Sequence, residues 1–248
     1  MAGEKHTAII LAAGKGSRMQ SDIPKQFLLL GGKPLLYYSL HTFAESFIDE
    51  IVLVTGAGQE AYCREEIIEK YGIPKVRSII PGGAERYDSV RAGLEACGCC
   101  EYIYIHDGAR PFIDAEILER ARVCVREYKA CAAGMPVKDT IKIVDSVGFV
   151  ETTPPRSLVW QIQTPQVFSF SLIKEAYDLL YQSADRSGIT DDAMVAERML
   201  GQPVRLFYGS YRNIKITTPE DLPLGKLFLE ESSRKREDSE NSEKYIIF

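Results

Sequence analysis

Short apolar runs of strand length alternate along this chain with longer segments whose apolar residues return every three to four positions. The first run, residues 8–13, is apolar at every position and predicts one buried strand of a parallel sheet. Leu35, Leu36, Leu40 and Phe43 then share one face of a helix over 34–45. The same two patterns predict strands at 50–55, 76–80, 102–105 and 130–137, with helices at 58–70, 86–96 and 115–128 between them. Strands separated by helices of these lengths imply right-handed crossovers, so the expected class is α/β with a mostly parallel sheet. In such sheets ligands sit beyond the carboxyl ends of the strands. The loops at Gly14, Pro81 and His106 are therefore expected on one edge, although they lie far apart in sequence.

The alternation fails after Val137. Residues 137–144 and 147–152 read as two extended pieces joined by a turn at 145–148, followed by Pro154-Pro-Arg156 and Trp160-Gln-Ile-Gln-Thr-Pro165. A hairpin this short does not bury its own apolar face, which makes a second subunit a reasonable partner. Helices are expected again at 169–183 and 190–200, strands at 204–207 and 213–217, and a last helix at 219–231 that opens on Pro219. Residues 232–244 carry mixed charge and almost no apolar groups, which predicts a mobile tail. Residues 245–248 are apolar again, without a physical account. The expected organisation is one domain over 1–231, with an arm at about 138–153 and a tail over 232–248.

Composition narrows the classes. The chain has 248 residues, 45% hydrophobic and 26% charged, which suits one globular domain with a continuous core. Its net charge of −5 argues against a nucleic-acid partner, so any grip on phosphate must come from a local cluster of cations. No apolar run approaches membrane-spanning length and no export signal is evident, so a cytoplasmic protein without a membrane partner is expected. The six cysteines, Cys63, Cys97, Cys99, Cys100, Cys124 and Cys131, are then expected as reduced thiols, and Cys97-Gly-Cys-Cys100 lacks a second pair at zinc spacing.

Candidate chemistry starts after the first strand. Gly14 and Gly16 are interleaved with Lys15 and followed by Arg18 and Lys25. Small residues let backbone N–H groups approach an anion, and added cations suit a highly charged phosphate chain. A dinucleotide fingerprint is excluded, because Met19 stands where a third small residue is needed and Val54-Thr-Gly56 lacks the closing acid. A P-loop is excluded because Gly32-Lys33 is followed by Pro34. Asp107, with Arg110 three residues on, ends an apolar strand. There a carboxylate either holds Mg²⁺ together with substrate phosphates or forms an ion pair that orders the loop. His106 adjoins it without a serine or cysteine in a nucleophile setting, and reads as structural. Arg86, Asp88, Ser89 and Arg91 follow a Gly82-Gly83 turn, where capping and ligand contacts are compatible. Asp191 and Asp192 suit a helix start through its dipole.

Eight segments in order resemble one family: Ala12-Ala-Gly-Lys-Gly-Ser-Arg-Met19, Pro24-Lys-Gln26, Gly82-Gly83 with Arg86-Tyr-Asp-Ser-Val90, His106-Asp-Gly-Ala-Arg-Pro111, Asp139-Thr140, Gln163-Thr-Pro-Gln166, Ile189-Thr-Asp-Asp192 and Asn213-Ile-Lys215. It is the 2-C-methyl-D-erythritol 4-phosphate cytidylyltransferase family of the non-mevalonate isoprenoid pathway, and the resemblance runs from Ala8 to Leu222. It implies a Rossmann-like domain with helices on both faces of the sheet and a projecting β-arm that interlocks a homodimer. It also implies Mg²⁺, CTP and an alditol phosphate as substrates, and pyrophosphate as a product. Arg18, Lys25 and Lys215 match its catalytic, charge-stabilising cations. Ala12, Ala13, Gly14, Lys15 and Gly16 match its nucleotide loop, and Gly82, Gly83, Ser89 and the backbone near Gly108 its cytosine and ribose contacts. Asp107 matches its metal and substrate-holding carboxylate, Arg110 is expected to bind substrate beside it, and Thr140, Arg156, Thr164 and Thr190 match residues around the alditol phosphate. A ribitol-5-phosphate cytidylyltransferase and a catalytically silent nucleotide-binding protein on the same scaffold remain as alternatives.

Overall fold

The computed structural model describes residues 4–14, 16–19 and 23–244, with the backbone alone described at 17, 233 and 235–244. The chain opens with β1 (His6–Ala12), two 3₁₀ turns (Ser17–Met19 and Lys25–Phe27), and a small ribbon of β2 (Leu29–Leu30) and β3 (Lys33–Pro34). There follow α1 (Leu35–Ala44), β4 (Glu50–Thr55), α2 (Glu60–Tyr62, continued by a π-helical stretch Cys63–Glu69), β5 (Val76–Pro81), α3 (Arg86–Ala96), β6 (Tyr102–Asp107), α4 (Ala115–Tyr128) and β7 (Ala130–Pro136). After an arm made of β8 (Ile143–Val144) and β9 (Val150–Thr152) come β10 (Trp160–Ser169), α5 (Phe170–Gln182), α6 (Asp192–Leu200), β11 (Arg205–Tyr208) and α7 (Asp221–Lys244).

Seven strands form one sheet in the order β11-β7-β10-β6-β1-β4-β5. The period-2 geometry of a strand sends neighbouring residues to opposite faces, and the sequence places apolar residues at both. Ala8, Ile10, Leu53 and Tyr104 pack under Leu36, Leu40 and Phe43 of α1 and Ile117 of α4. Ile9, Val52, Val54, Ile103 and Ile105 face the other way, toward Val90 and Leu94 of α3, Tyr177 of α5 and Val195 of α6. The sheet is therefore sandwiched between helical layers. Each large aliphatic side chain fully buried in this way contributes roughly 1.5–3 kcal/mol relative to exposure. Helix ends follow local chemistry: the Asp114 carboxylate accepts from Ile117 N at 2.8 Å to start α4, and Asp191 accepts from Met194 N at 2.8 Å to start α6. The expectation for Asp191, a helix-start acid, holds; Asp192 does something else, described below.

Three expectations need correction. The stretch 160–169 is not an irregular connection but a strand, antiparallel to both β6 and β7. Its Gln163, Thr164 and Gln166 are buried and hydrogen-bonded to the loop after β11, to β6 and to the start of α6 respectively, so no apolar run marks the strand. Residues 213–217 join no sheet and are tethered instead by Ile216 N donating to Ala109 O at 2.9 Å. The backbone of 232–244, expected to lack structure, continues α7 as far as Lys244, while 245–248 lie outside the described residues.

The arm is a true hairpin with Ile143 opposite Thr152 and Val144 opposite Val150. Asp145 accepts from the amides of Val147 and Phe149 at 3.0 and 2.9 Å, and Gly148 takes a φ of +95° at the tip. Val147 and Phe149 are 75% and 73% exposed, so the arm's apolar side chains find no cover within the chain. Among the described residues no helix is long and apolar enough to cross a membrane.

Candidate active site

Register across the parallel strands sets the site. Leu11 of β1 lies opposite Asp107 of β6, Ala12 opposite Thr55 of β4, and Thr55 opposite Pro81 of β5. The loops that leave β1, β5 and β6 thus start level with one another and enclose a cleft of about 400 Å³. Ala12, Ala13 and Gly14 form one wall, Gly83, Arg86 and Ser89 another, and Lys25, Asp107 and Lys215 meet between them. The convergence expected from the sheet rule is observed.

Glycine is required at two places in this rim. A Cβ on Gly82 would lie 2.5 Å from the Ala13 Cβ and 2.6 Å from the Ser89 Oγ, and one on Gly83 would overlap the Asp88 Cβ at 2.2 Å. The two glycines let the β5–α3 turn press against the β1 loop. Gly16 has a φ of +64° and sits against the Lys25 side chain, so the loop folds down over that lysine. Lys15 lies outside the described residues. The Ser89 hydroxyl accepts from Gly83 N at 3.2 Å and donates to Glu85 O, while Asp88 accepts from Glu85 N at 3.0 Å and from the Tyr181 hydroxyl. The capping role weighed from the sequence is realised by Asp88, in a capping box with Glu85, whereas Ser89 ties the Gly83 turn to the helix and lines the cleft. Gly108 donates its N–H to Leu11 O at 2.8 Å, so that amide is already committed to the fold.

The electrostatics centre on Asp107. Its carboxylate, 7% exposed as a residue, meets Lys215 Nζ at 2.8 Å, Arg86 Nε at 3.5 Å and Arg110 Nε at 3.9 Å. Burial alone would raise its pKa, but Arg86, Lys215 and Arg110 hold the carboxyl well below the usual range, so it stays ionised. Lys25 is half-buried nearby. Burial, and then the charge of Lys215, bring its ammonium down to about 8 against the upward pull of Asp107, with smaller lowering by Arg18 and Arg110. Arg18 itself is exposed, on the Ser17–Met19 turn.

The remaining sequence candidates divide. Thr164 is buried, with its Oγ1 accepting from Asp107 N at 3.0 Å and 3.1 Å from His106 Nδ1, so it holds the Asp107 backbone rather than facing the cleft. Arg110 donates to Asn213 O at 2.8 Å from behind Asp107 and does not line the cleft. Thr140 and Arg156 belong to the exposed arm region, where Arg156 donates to Lys138 O at 3.1 Å. Thr190 is exposed just before α6. None of these five lines the cleft of a single chain. Sequence reasoning missed the roles of Arg86 and Asp192: Arg86 was in view at a helix start, but its pairing with an aspartate 106 positions away leaves no local signal. Among the described residues no group of three or more His, Cys, Asp or Glu side chains is placed to hold a metal by itself. All six cysteines are free, and burial pushes the Cys97 and Cys100 thiols up to about 12 and about 11, which makes them poor ligands and nucleophiles.

His106 is fully buried between Arg110 O, 3.2 Å from its Nε2, and the Thr164 hydroxyl. Burial pulls its pKa down to about 4, chiefly because the charged ring would lose hydration. The ring is therefore expected to stay neutral from pH 8 to pH 5, with stability falling between about 6.5 and 4 as the unfolded chain takes up the proton first. Histidine NMR titration checks this, and a midpoint above 6 for His106 would contradict it.

Residues 6–231 match the family described as IspD: 2-C-methyl-D-erythritol 4-phosphate cytidylyltransferase. A curated protein of that name from Lachnospira eligens is 50% identical over 225 residues, covering 90% of this chain and 99% of that protein. Another from Lachnoclostridium phytofermentans is 47% identical over 230 residues, covering 92% and 97%. The solved structure of 4-diphosphocytidyl-2C-methyl-D-erythritol synthase from Anaerococcus prevotii is similar with a TM-score of 0.81 and 35% identity, over 92% of this chain and 96% of that one. The cytidylyltransferase structure from Thermus thermophilus is similar at 0.73 and 28% identity, over 90% and 98%.

Proposed function

Because the chain belongs to the 2-C-methyl-D-erythritol 4-phosphate cytidylyltransferase family, we propose that it performs the reaction of that name: CTP and 2-C-methyl-D-erythritol 4-phosphate become 4-diphosphocytidyl-2-C-methyl-D-erythritol and pyrophosphate, in isoprenoid biosynthesis. The single observation that carries this reading beyond the family match is the cleft itself. A glycine-edged loop faces Lys25, which forms no salt bridge among the described residues, and the Asp107–Lys215 pair lies beside it.

The alditol phosphate oxygen attacks the α-phosphorus of CTP. A new P–O bond forms as the bond to the β-phosphate oxygen breaks, and pyrophosphate leaves with that electron pair. Two polyanions must meet for this, so positioning and charge stabilisation account for the rate. Lys25, Arg18 and Lys215 are assigned to the crowded phosphate centre. Ala12, Ala13, Gly14, Lys15 and Gly16 are assigned to the triphosphate, and Gly82, Gly83, Ser89 and Gly108 to the nucleoside. Asp107 holds Lys215 in place and is, among the described residues, the carboxylate in the cleft assigned to Mg²⁺. Its lone carboxylate fits an ion bound mainly by triphosphate oxygens, which would neutralise part of their charge. Arg110 and Thr164 support Asp107 from behind, and Thr140, Arg156 and Thr190 are assigned to the alditol phosphate. The exposed apolar arm supports a homodimer in which the arm reaches a second copy. The cytoplasm is the proposed compartment, consistent with six free thiols.

Purified protein incubated with Mg²⁺, CTP and either methylerythritol phosphate or ribitol 5-phosphate tests the assignment through pyrophosphate release. Faster turnover of methylerythritol phosphate is expected, and CTP should outperform the other triphosphates. Equal or faster turnover of ribitol phosphate would overturn the pathway while leaving cytidylyl transfer standing.

A further inference from the structure

Behind the cleft, Asp107 shares Arg86 with a second carboxylate. From the first turn of α3, Arg86 donates from Nη1 and Nη2 to the two oxygens of Asp192 at 3.0 and 2.8 Å, leaving its Nε 3.5 Å from Asp107 Oδ1. Asp192 is fully buried and does not line the cleft, whereas Arg86 does. Tyr177, also buried, donates its hydroxyl to Asp192 Oδ1 at 2.6 Å. Gln166 Oε1 accepts from the amides of Asp192 and Ala193, both at 2.9 Å, and fixes the first turn of α6 against β10.

A guanidinium between two carboxylates takes the bidentate geometry with whichever is better placed. Here that is Asp192, and Asp107 receives only a long, single contact. Lys215 consequently keeps its 2.8 Å contact with Asp107 Oδ2. Without the Asp192 charge, Arg86 would be free to close on Asp107 and compete with Lys215 for it. We propose that Asp192, oriented by Tyr177, is a positioning residue that holds Arg86 back from Asp107, so that Asp107 serves Lys215 and the guanidinium stays at the nucleotide wall. The inference rests on the cytidylyl transfer proposed above, and concerns the CTP half of that site.

Asp192→Asn keeps the side-chain shape and removes the charge. The KM for CTP is expected to rise about tenfold or more, with the KM for methylerythritol phosphate changing less than about threefold, since Arg86 sits on the nucleotide side. Tyr177→Phe should move the CTP KM in the same direction by about threefold. In an Arg86→Ala background, Asp192→Asn should add less than about twofold, because its target is gone. A CTP KM within twofold of wild type in Asp192→Asn, or losses that multiply independently in the double variant, would overturn the proposal. Thermal melts show whether each variant folds. Should Asp192→Asn fail to fold, an unchanged CTP KM in Tyr177→Phe refutes the idea equally. Wild-type protein assayed in parallel separates the two readings: no CTP-dependent pyrophosphate release there sinks the proposed function, while normal wild-type turnover with unaffected variants sinks only the positioning role.

Discussion

Replacing Lys25 with alanine is expected to lower turnover by at least about 10²-fold while the melting temperature stays close to that of the wild type. That is the usual scale for losing one preorganised charge partner of a developing anion, roughly 2.7–4 kcal/mol. The fold should tolerate the change because Lys25 stands on a 3₁₀ turn at the edge of the cleft and contributes no core packing. Arg18→Lys should also be harmful, since a point charge does not reproduce a planar fork of donors. The depressed ammonium adds a pH signature. In the free protein Lys25 loses its proton as pH rises through about 8, so kcat/KM for CTP should fall above that pH. A bound triphosphate favours the charged form, so CTP binding near pH 8 should take up a proton, visible by calorimetry in buffers of different ionisation enthalpy. Near-normal turnover of Lys25→Ala, or a kcat/KM that stays flat to pH 10, would reduce the lysine to a bystander.

The second large effect concerns sharing between subunits. Thr140 and Arg156 lie outside the cleft of a single chain, and the arm between them exposes Ile143, Val144, Val147, Phe149 and Val150. Covering those side chains with a second copy would contribute roughly 1.5–3 kcal/mol for each one fully buried. If the arm of one subunit brings Arg156 to the other's CTP site, Lys25→Ala and Arg156→Ala subunits, each inactive alone, should complement on mixing. Random reassortment makes half the dimers mixed and half of their sites whole, so about a quarter of the wild-type rate is expected. Mixed dimers that form and remain inactive would place Arg156 in its own subunit's site.

What the sequence made legible follows from how local each signal is. The parallel core announced itself because β1, β4 and β6 each hold an unbroken apolar run of four or five residues, and α3 and α4 have the bounds their periodicity predicted. β10 was invisible for the opposite reason. Gln163, Thr164 and Gln166 are buried as polar groups whose partners, Ser210, Asp107 and Asp192, lie 47, 57 and 26 positions away. Residues 213–217 carry strand-forming side chains, yet Ile216 N is bonded to the Ala109 carbonyl in the loop after β6 and the segment joins no sheet. Within the site, the cations and glycines could be read as a phosphate loop, but the division of Arg86 between Asp107 and Asp192 exists only in three dimensions.

The arm also bears on how this chain can vary. β7 and β10 are antiparallel neighbours, with Pro136 opposite Trp160, and Val137 N donates to Val159 O at 3.0 Å. The two ends of the excursion are thus clasped before it departs, and the residues between them are only the loop of a very large hairpin. Changes of length or sequence out there leave the pairing of the sheet untouched, because the clasp fixes its register from within. A surface so insulated is free to drift at a different pace from the cleft. Lineages are free to recut the apolar tip between Ile143 and Val150 while Thr140, Arg156 and the cleft residues stay as they are.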